Sequence, residues 1–516
     1  MHRKQPVKRI IAAAAALLIL LASASCGKTP AGPDGSDVSS DIGSDITTAI
    51  PTEDTGKDTD TSAPDGSTTS SSPAETTAPG TGAAHDDTTP AASETSKTPE
   101  STKAPETEKP TTTIPEETTK MNVPDEPTTT VLNYADKKCM WLSQFDLNKV
   151  YANGGSQRSS AQFTGYIKKI LANVKKDGIN TIIVQVRPYA DSMYPSDVYP
   201  MSSYVVGAYG KEASYDPYAI VIDEAHALGL SVHAWINPMR AMLVKEITKV
   251  PQKYRIRSWY DDTSTRGKYV VTVGDRFYLN PAYPEVRQLI IDGAAEILAR
   301  YKVDGLHMDD YFYPTQDASF DSAAYSAYKK DGGKSSLADF RRDCLSKLVA
   351  GLYSTVKAAD GSILFGISPA GNINTVYEKQ YADVYRWCSE KGYLDYICPQ
   401  VYFGLEHQTY DFKKVSKTFQ SIIKTDSVEL IIGMTLGKAK SGTDQYAGSG
   451  KNEWKEHKDV LVRCIEYTKS LEKCRGVAYF CYQYFYDPIS GASVSETKTE
   501  RDNFIPLLKT ITWTDR

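Results

Sequence analysis

Aromatic residues are absent from the first quarter of this 516-residue sequence; every Trp, Tyr and Phe lies at Tyr134 or later. Residues 27–130 are Thr, Ser, Pro, Asp, Glu and Gly with almost nothing apolar, which excludes a packed core there and predicts a disordered tether. A large excess of either charge is also lacking, with 59 Lys and Arg against 64 Asp and Glu. A formal net charge of −5 gives no basis for nucleic-acid binding. No CxxC occurs, and no Cys/His spacing suggests zinc. No Gly-rich phosphate loop follows the first apolar strand. No metal or cofactor is therefore expected. Beyond Cys26 there are seven cysteines, an odd number that cannot all pair within one chain. They read mainly as buried thiols, with a Cys474–Cys481 or Cys388–Cys398 pair left open.

What the N-terminus does contain is an export signal. Arg3, Lys4, Lys8 and Arg9 precede the run IAAAAALLILLA and the small residues Ser23, Ala24 and Ser25. Cleavage before Cys26 would leave a lipid-modifiable cysteine, so residues 1–26 are expected to be a lipoprotein signal peptide. Ser23 stands where leucine is usual, and ordinary secretion with cleavage near Ala24 is the alternative. The apolar run is short for a membrane span. The expectation is an exported protein, lipid-anchored to the membrane at a bacterial surface, with the tether carrying a head domain outward.

Residues 134–516 alternate apolar runs with helix-period segments. Strands are predicted at 138–145, 180–188, 230–238, 305–312, 363–371, 394–403, 428–437 and 476–485. Helices are predicted at 161–176, 216–228, 284–300, 335–359, 379–391, 410–424, 453–471 and near 502–511. Eight strand–helix repeats predict an α/β fold, a closed (β/α)8 TIM barrel. The stretch 239–283 is long for a connection. It falls on the C-terminal face, where such barrels carry their sites.

Side chains alternate along a strand. In GLHMDDYFYP (305–314), Leu306 and Met308 take one face, His307 and Asp309 the other. The same alternation groups Gln185 with Arg187, and His233 with Trp235 and Asn237. It also groups Tyr396, Cys398, Gln400 and Tyr402, and Cys481 with Gln483 and Phe485. Polar and aromatic side chains thus gather near the mouth. Flat rings beside hydrogen-bonding groups suit sugars, which have C–H faces and hydroxyl edges. Glycosidic hydrolysis needs a neutral acid and an ionised carboxylate. Asp309 and Asp310 are the candidate catalytic residues, although strand geometry points neighbouring side chains apart. Asp191, Glu406, Asp444 and Asp487 each follow a strand and are candidates for a second carboxylate. A substrate acetamido group could act instead. His307 and His233 with an aspartate would be the start of a metal-dependent deacetylase, the remaining alternative.

The segments GINTIIVQVRPYADSMYPS (178–196), YDPYAIVIDEAHALGLSVHAWINPMR (215–240), NPAYPEVRQLI (280–290), DGLHMDDYFYP (304–314), FGISPAG (365–371) and DYICPQVYF (395–403) together resemble the family-10 glycosylhydrolase-like proteins. The resemblance spans Cys139 to about Pro488. It implies exported, often lipidated barrels, some of which hydrolyse peptidoglycan glycan strands that have lost their stem peptides. The implied partner is that polysaccharide. On this reading Asp309 and Asp310 are the family's acidic pair. The expected sugar-binding residues are Arg187, Tyr189, His233, Trp235, Asn237, Arg240, His307, Tyr311, Gln400, Tyr402 and Gln483. FGISPAG offers no Glu at strand five, where many barrel glycosidases carry their acid. A non-catalytic glycan-binding barrel is the alternative function.

Overall fold

The computed structural model describes residues 131–515. The signal peptide, Cys26 and the tether lie outside the described residues. Eight parallel strands close a barrel: β1 (Lys137–Leu142), β2 (Thr181–Arg187), β3 (Ser231–Ile236), β4 (Gly305–Met308), β5 (Leu364–Ile367), β6 (Tyr396–Ile397), β7 (Glu429–Thr435) and β8 (Cys474–Phe480). Each strand pairs with its neighbours in sequence, and β1 closes the ring against β8. The outer helices are α1 (Ser160–Lys176), α2 (Pro217–Ala227), α3 (Pro284–Arg300), α4 (Leu337–Ala359), α5 (Val384–Ser389), α6 (Phe412–Ile422), α7 (Val460–Thr468) and α8 (Lys498–Thr510).

Local chemistry sets these boundaries. Ser159 and Gln162 form a reciprocal capping box at the start of α1. Pro217 opens α2, where the Asp216 carboxylate accepts from the Tyr218 and Ala219 amides. Gly229, just past α2, adopts a φ of +62° that side chains disfavour. The stretch 239–283 is not a bare loop. It holds the strands Arg240–Leu243, Val270–Val273 and Arg276–Leu279 as a small antiparallel sheet, with a helix at Arg255–Asp261.

Leu306 and Met308 pack outward into the large core under the helices. The barrel interior is filled by a separate cluster that includes Cys139, Trp141, Ile183, Trp235, Tyr396, Cys398 and Cys481. Two glycines make room for it. A Cβ at Gly366 would sit 2.0 Å from the Tyr396 ring, and one at Gly305 would sit 2.6 Å from His233. The seven cysteines are buried thiols, so neither Cys474–Cys481 nor Cys388–Cys398 is bridged.

The strand-phase expectation for β2 fails at its end. Arg187 does not face the barrel axis. The β2–β3 register slips between Gln185 and Arg187, and this bulge turns the side chain outward. Its guanidinium lies over the Tyr199 ring at 4.2 Å, donates to the Tyr194 hydroxyl and packs against Gly293 of α3. It is a clamp between strand and helix, not a sugar contact.

Candidate active site

The C-terminal mouth opens into a cleft of about 650 Å³, within the range of small-ligand sites. Of the residues expected there, Trp235, Arg240, Asp309, Asp310, Tyr311, Gln400 and Tyr402 line it. Asp309 and Asp310 do not diverge as alternation predicts. Strand pairing in β4 ends at Met308, so the pleat stops before them and both face the cleft.

Asp309 is 2% exposed. The Trp235 indole donates to its Oδ2 at 3.0 Å, and the Tyr311 amide donates to its Oδ1 at 3.2 Å. Burial pushes its carboxyl well above the usual carboxylate range, and the Asp310 charge adds to the rise. The two donors and Arg240 act against it. Burial dominates, so Asp309 holds a proton where an exposed carboxyl would have lost it. Arg240 is sandwiched by the Tyr189 and Tyr311 rings at 4.9 and 4.3 Å, which fixes a cation beside the acidic pair.

Several expected sugar contacts lie one layer deeper. His307 is fully buried; its Nδ1 meets the Tyr396 hydroxyl at 2.9 Å and its Nε2 meets Ser368 Oγ at 2.8 Å. His233 meets the same Tyr396 hydroxyl at 2.9 Å. Burial pushes His233 down to about 4 and His307 further still, so both rings are neutral. They fill the barrel beneath the cleft because their strand positions precede the mouth. The group that links the two rings is a tyrosine hydroxyl, and no cluster of three His, Cys, Asp or Glu side chains able to hold a metal occurs among the described residues.

Asn237 accepts from Gln185 Nε2 at 2.9 Å, and Gln185 Oε1 accepts from the Gln144 amide at 2.9 Å. Asn237 thus holds Gln185 and Gln144, which themselves line the cleft. Tyr189 accepts from Gln144 Nε2 and supports Arg240 and Arg276 on its ring. Gln483 turns away: its amide donates to Asp146 at 2.6 Å and its side chain meets Cys481 Sγ. Asp146, pushed up to about 6 by burial, also accepts from Ser143, so it fastens the loop after β1 to the loop after β8.

None of the four candidates for the second carboxylate lines the cleft. Asp191 accepts from the Tyr189 amide and the Tyr209 hydroxyl. Glu406 pairs with His457, and Asp444 pairs with Lys438. Asp487 caps its own turn through the Ile489 and Ser490 amides. Among the described residues the remaining carboxylate of the cleft is Asp317, whose Oδ1 caps the Ser319 amide at 2.8 Å.

The cleft also includes Tyr278, Gln316, Lys379, Lys438 and Tyr446, which lie outside the predicted strands, and Phe145 and Phe480, which lie within them but were not singled out. Tyr446 is 41% exposed and offers a free aromatic face. Tyr402 stacks on Phe480 at 5.8 Å. Most of these side chains follow a strand on the C-terminal face, and that position was their only sequence signal.

Residues 137–447 match the model of the Glycosyl hydrolase-like 10 family. The chain is 34% identical over 331 residues to glycosyl hydrolase YngK of Bacillus subtilis, an alignment covering 60% of this chain and 62% of that protein. It is 30% identical over 400 residues to glycosyl hydrolase DigH of Escherichia coli, covering 72% of this chain and 88% of that one. Among solved structures it is similar to the PgaB (BpsB) glycoside hydrolase domain of Bordetella bronchiseptica. That match has a TM-score of 0.47 and 14% identity over 71% of this chain and 98% of that one. Family and relatives put the chain in the glycoside hydrolase class, as an enzyme acting on sugars. By its family match and by the shared length, the chain belongs to the Glycosyl hydrolase-like 10 family.

Proposed function

We propose that the protein hydrolyses peptidoglycan glycan strands lacking stem peptides, at a bond beside an N-acetylated sugar, while lipid-anchored through Cys26 in the envelope of a bacterial cell. The observation that carries the chemistry is the proton-holding Asp309 beside Asp310, with no carboxylate from another strand end facing them among the described residues. That arrangement suits catalysis in which the substrate's acetamido oxygen replaces a protein nucleophile. The acetamido oxygen attacks C1 while Asp309 gives its proton to the departing glycosidic oxygen. The C1–O bond breaks and an oxazolinium ring forms. Asp310, as the anion, accepts the acetamido N–H and balances the ring's positive charge. Water then adds to C1 as the Asp309 carboxylate takes its proton, the ring opens, and the acid is restored. Two displacements at C1 retain its configuration.

The family resemblance and the export signal favour a cell-wall polymer as the substrate. The aromatic faces of Tyr402, Tyr446 and Phe480 along the cleft suit pyranose rings. The test is to incubate the full-length protein with peptide-free glycan strands and follow the first-formed anomer by proton NMR. Retention, with inhibition by a thiazoline sugar analogue, is expected. Inversion, or equal cleavage of de-N-acetylated strands, would rule the mechanism out.

A further inference from the structure

We propose that Lys379 forms a carboxylate-recognition subsite of this cleft, so that the preferred substrate is an anionic glycan. The inference deepens the proposed function and rests on that reading. Three cationic side chains reach the cleft, and two have occupations. Arg240 is held between two tyrosine rings beside the acidic pair, and Lys438 is paired with Asp444 at 2.9 Å. Lys379 is half-buried and has no hydrogen-bond or ion-pair partner among the described residues. Asp317 lines the same cleft but makes no ion pair with it, its Oδ1 being turned to the Ser319 amide. The next residue, Gln380, also lines the cleft, and its Oε1 is buried with no partner. The two residues are adjacent in sequence, and neither of these polar groups has a partner among the described residues.

Their support is specific. Thr375–Lys379 is a single π-helical turn, an uncommon device that recurs at functional sites. It ends where Tyr381 takes a φ of +56°, a costly conformation for a bulky residue. Arg341 lies over the Tyr381 ring at 4.8 Å and holds that turn against the loop after β4. The fold thus fixes the position of Lys379 while leaving its ammonium without a counter-charge. Neutral sugar hydroxyls would supply hydrogen bonds but no charge; a carboxylate supplies both. In peptidoglycan strands the muramic acid carboxylate is an anion only where the peptide is gone. An intact strand presents an amide and a bulky chain at that point. Lys379 would read this difference.

The experiment compares two forms of one peptide-free strand, one with free carboxylates and one whose carboxylates are coupled to methylamine. The full-length wild type, Lys379→Met and Lys379→Arg are measured for KM, kcat and equilibrium binding. A charge-assisted contact of this kind is worth about tenfold. The wild type is expected to favour the carboxylate strand in KM by about that factor, less at high salt. Lys379→Met brings the ratio of the two KM values to about one, and Lys379→Arg restores much of it. A KM ratio that is the same in wild type and Lys379→Met would overturn the inference. If neither strand is cleaved, the hydrolase reading fails and binding decides: a carboxylate preference lost in Lys379→Met supports the subsite, and equal binding of both strands refutes it.

Discussion

Replacing Trp235 by phenylalanine removes one N–H and keeps an aromatic ring at the cleft floor. That N–H donates to Asp309 Oδ2 at 3.0 Å and favours the ionised carboxyl. A hydrogen bond to a charged group contributes roughly 1.5–3 kcal/mol, and each pKa unit corresponds to about 1.4 kcal/mol. The Tyr311 amide and Arg240 remain, so the loss is one interaction of three. Trp235→Phe should therefore destabilise the Asp309 anion by roughly that energy and push its carboxyl further up. Because Asp309 acts first in its protonated form, the alkaline limb of kcat/KM should move to higher pH. The assay is a pH profile of reducing-end release from peptide-free strands, wild type beside variant. A limb that stays in place, or moves down, would show that Asp309 is not the acid whose proton starts the reaction.

Two further predictions concern groups that support the barrel and its mouth. Glu500 of α8 is 2% exposed; its Oε1 caps the Leu461 amide while Oε2 is buried without a partner. Burial pushes it up to about 7 from an ordinary 4.5. The folded state therefore binds more protons than the unfolded state between those values, and stability falls as pH rises through the window. Glu500→Gln should unfold like wild type near pH 4 and be up to about 3 kcal/mol more stable at pH 8, read by denaturant titration; a pH-independent difference would contradict this. Arg341 of α4 is fully buried, pairs with Asp321 and donates to the Gln316 and Asp317 carbonyls, so it pins the loop after β4. Arg341→Met should cost about 3–5 kcal/mol in thermal unfolding, with part recovered in Arg341→Met/Asp321→Asn, because the single change strands a buried charge.

The barrel was legible because its strands are apolar runs punctuated by helix signals, and Leu306 and Met308 packed where alternation sent them. Asp309 and Trp235 were legible for the same reason. Arg187 was not, because a bulge reverses side-chain phase without a mark in the residues themselves. His233 and His307 were assigned the correct face but the wrong depth. Alternation reports which side a residue faces, and the glycines that let Tyr396 sit between the two rings act across strands. Lys379 and Tyr446 belong to irregular turns that carry no period, so only the folded chain brings them to the cleft.

The proposed reaction starts only if the Asp309 carboxyl gives its proton to the departing glycosidic oxygen. The most direct measurement is the rate of new reducing ends from peptide-free glycan strands, for full-length wild type and Asp309→Asn. The wild type should release reducing ends, and the variant should do so about 10²-fold or more slowly while unfolding close to the wild-type transition. A variant that keeps the wild-type rate would contradict that proton transfer.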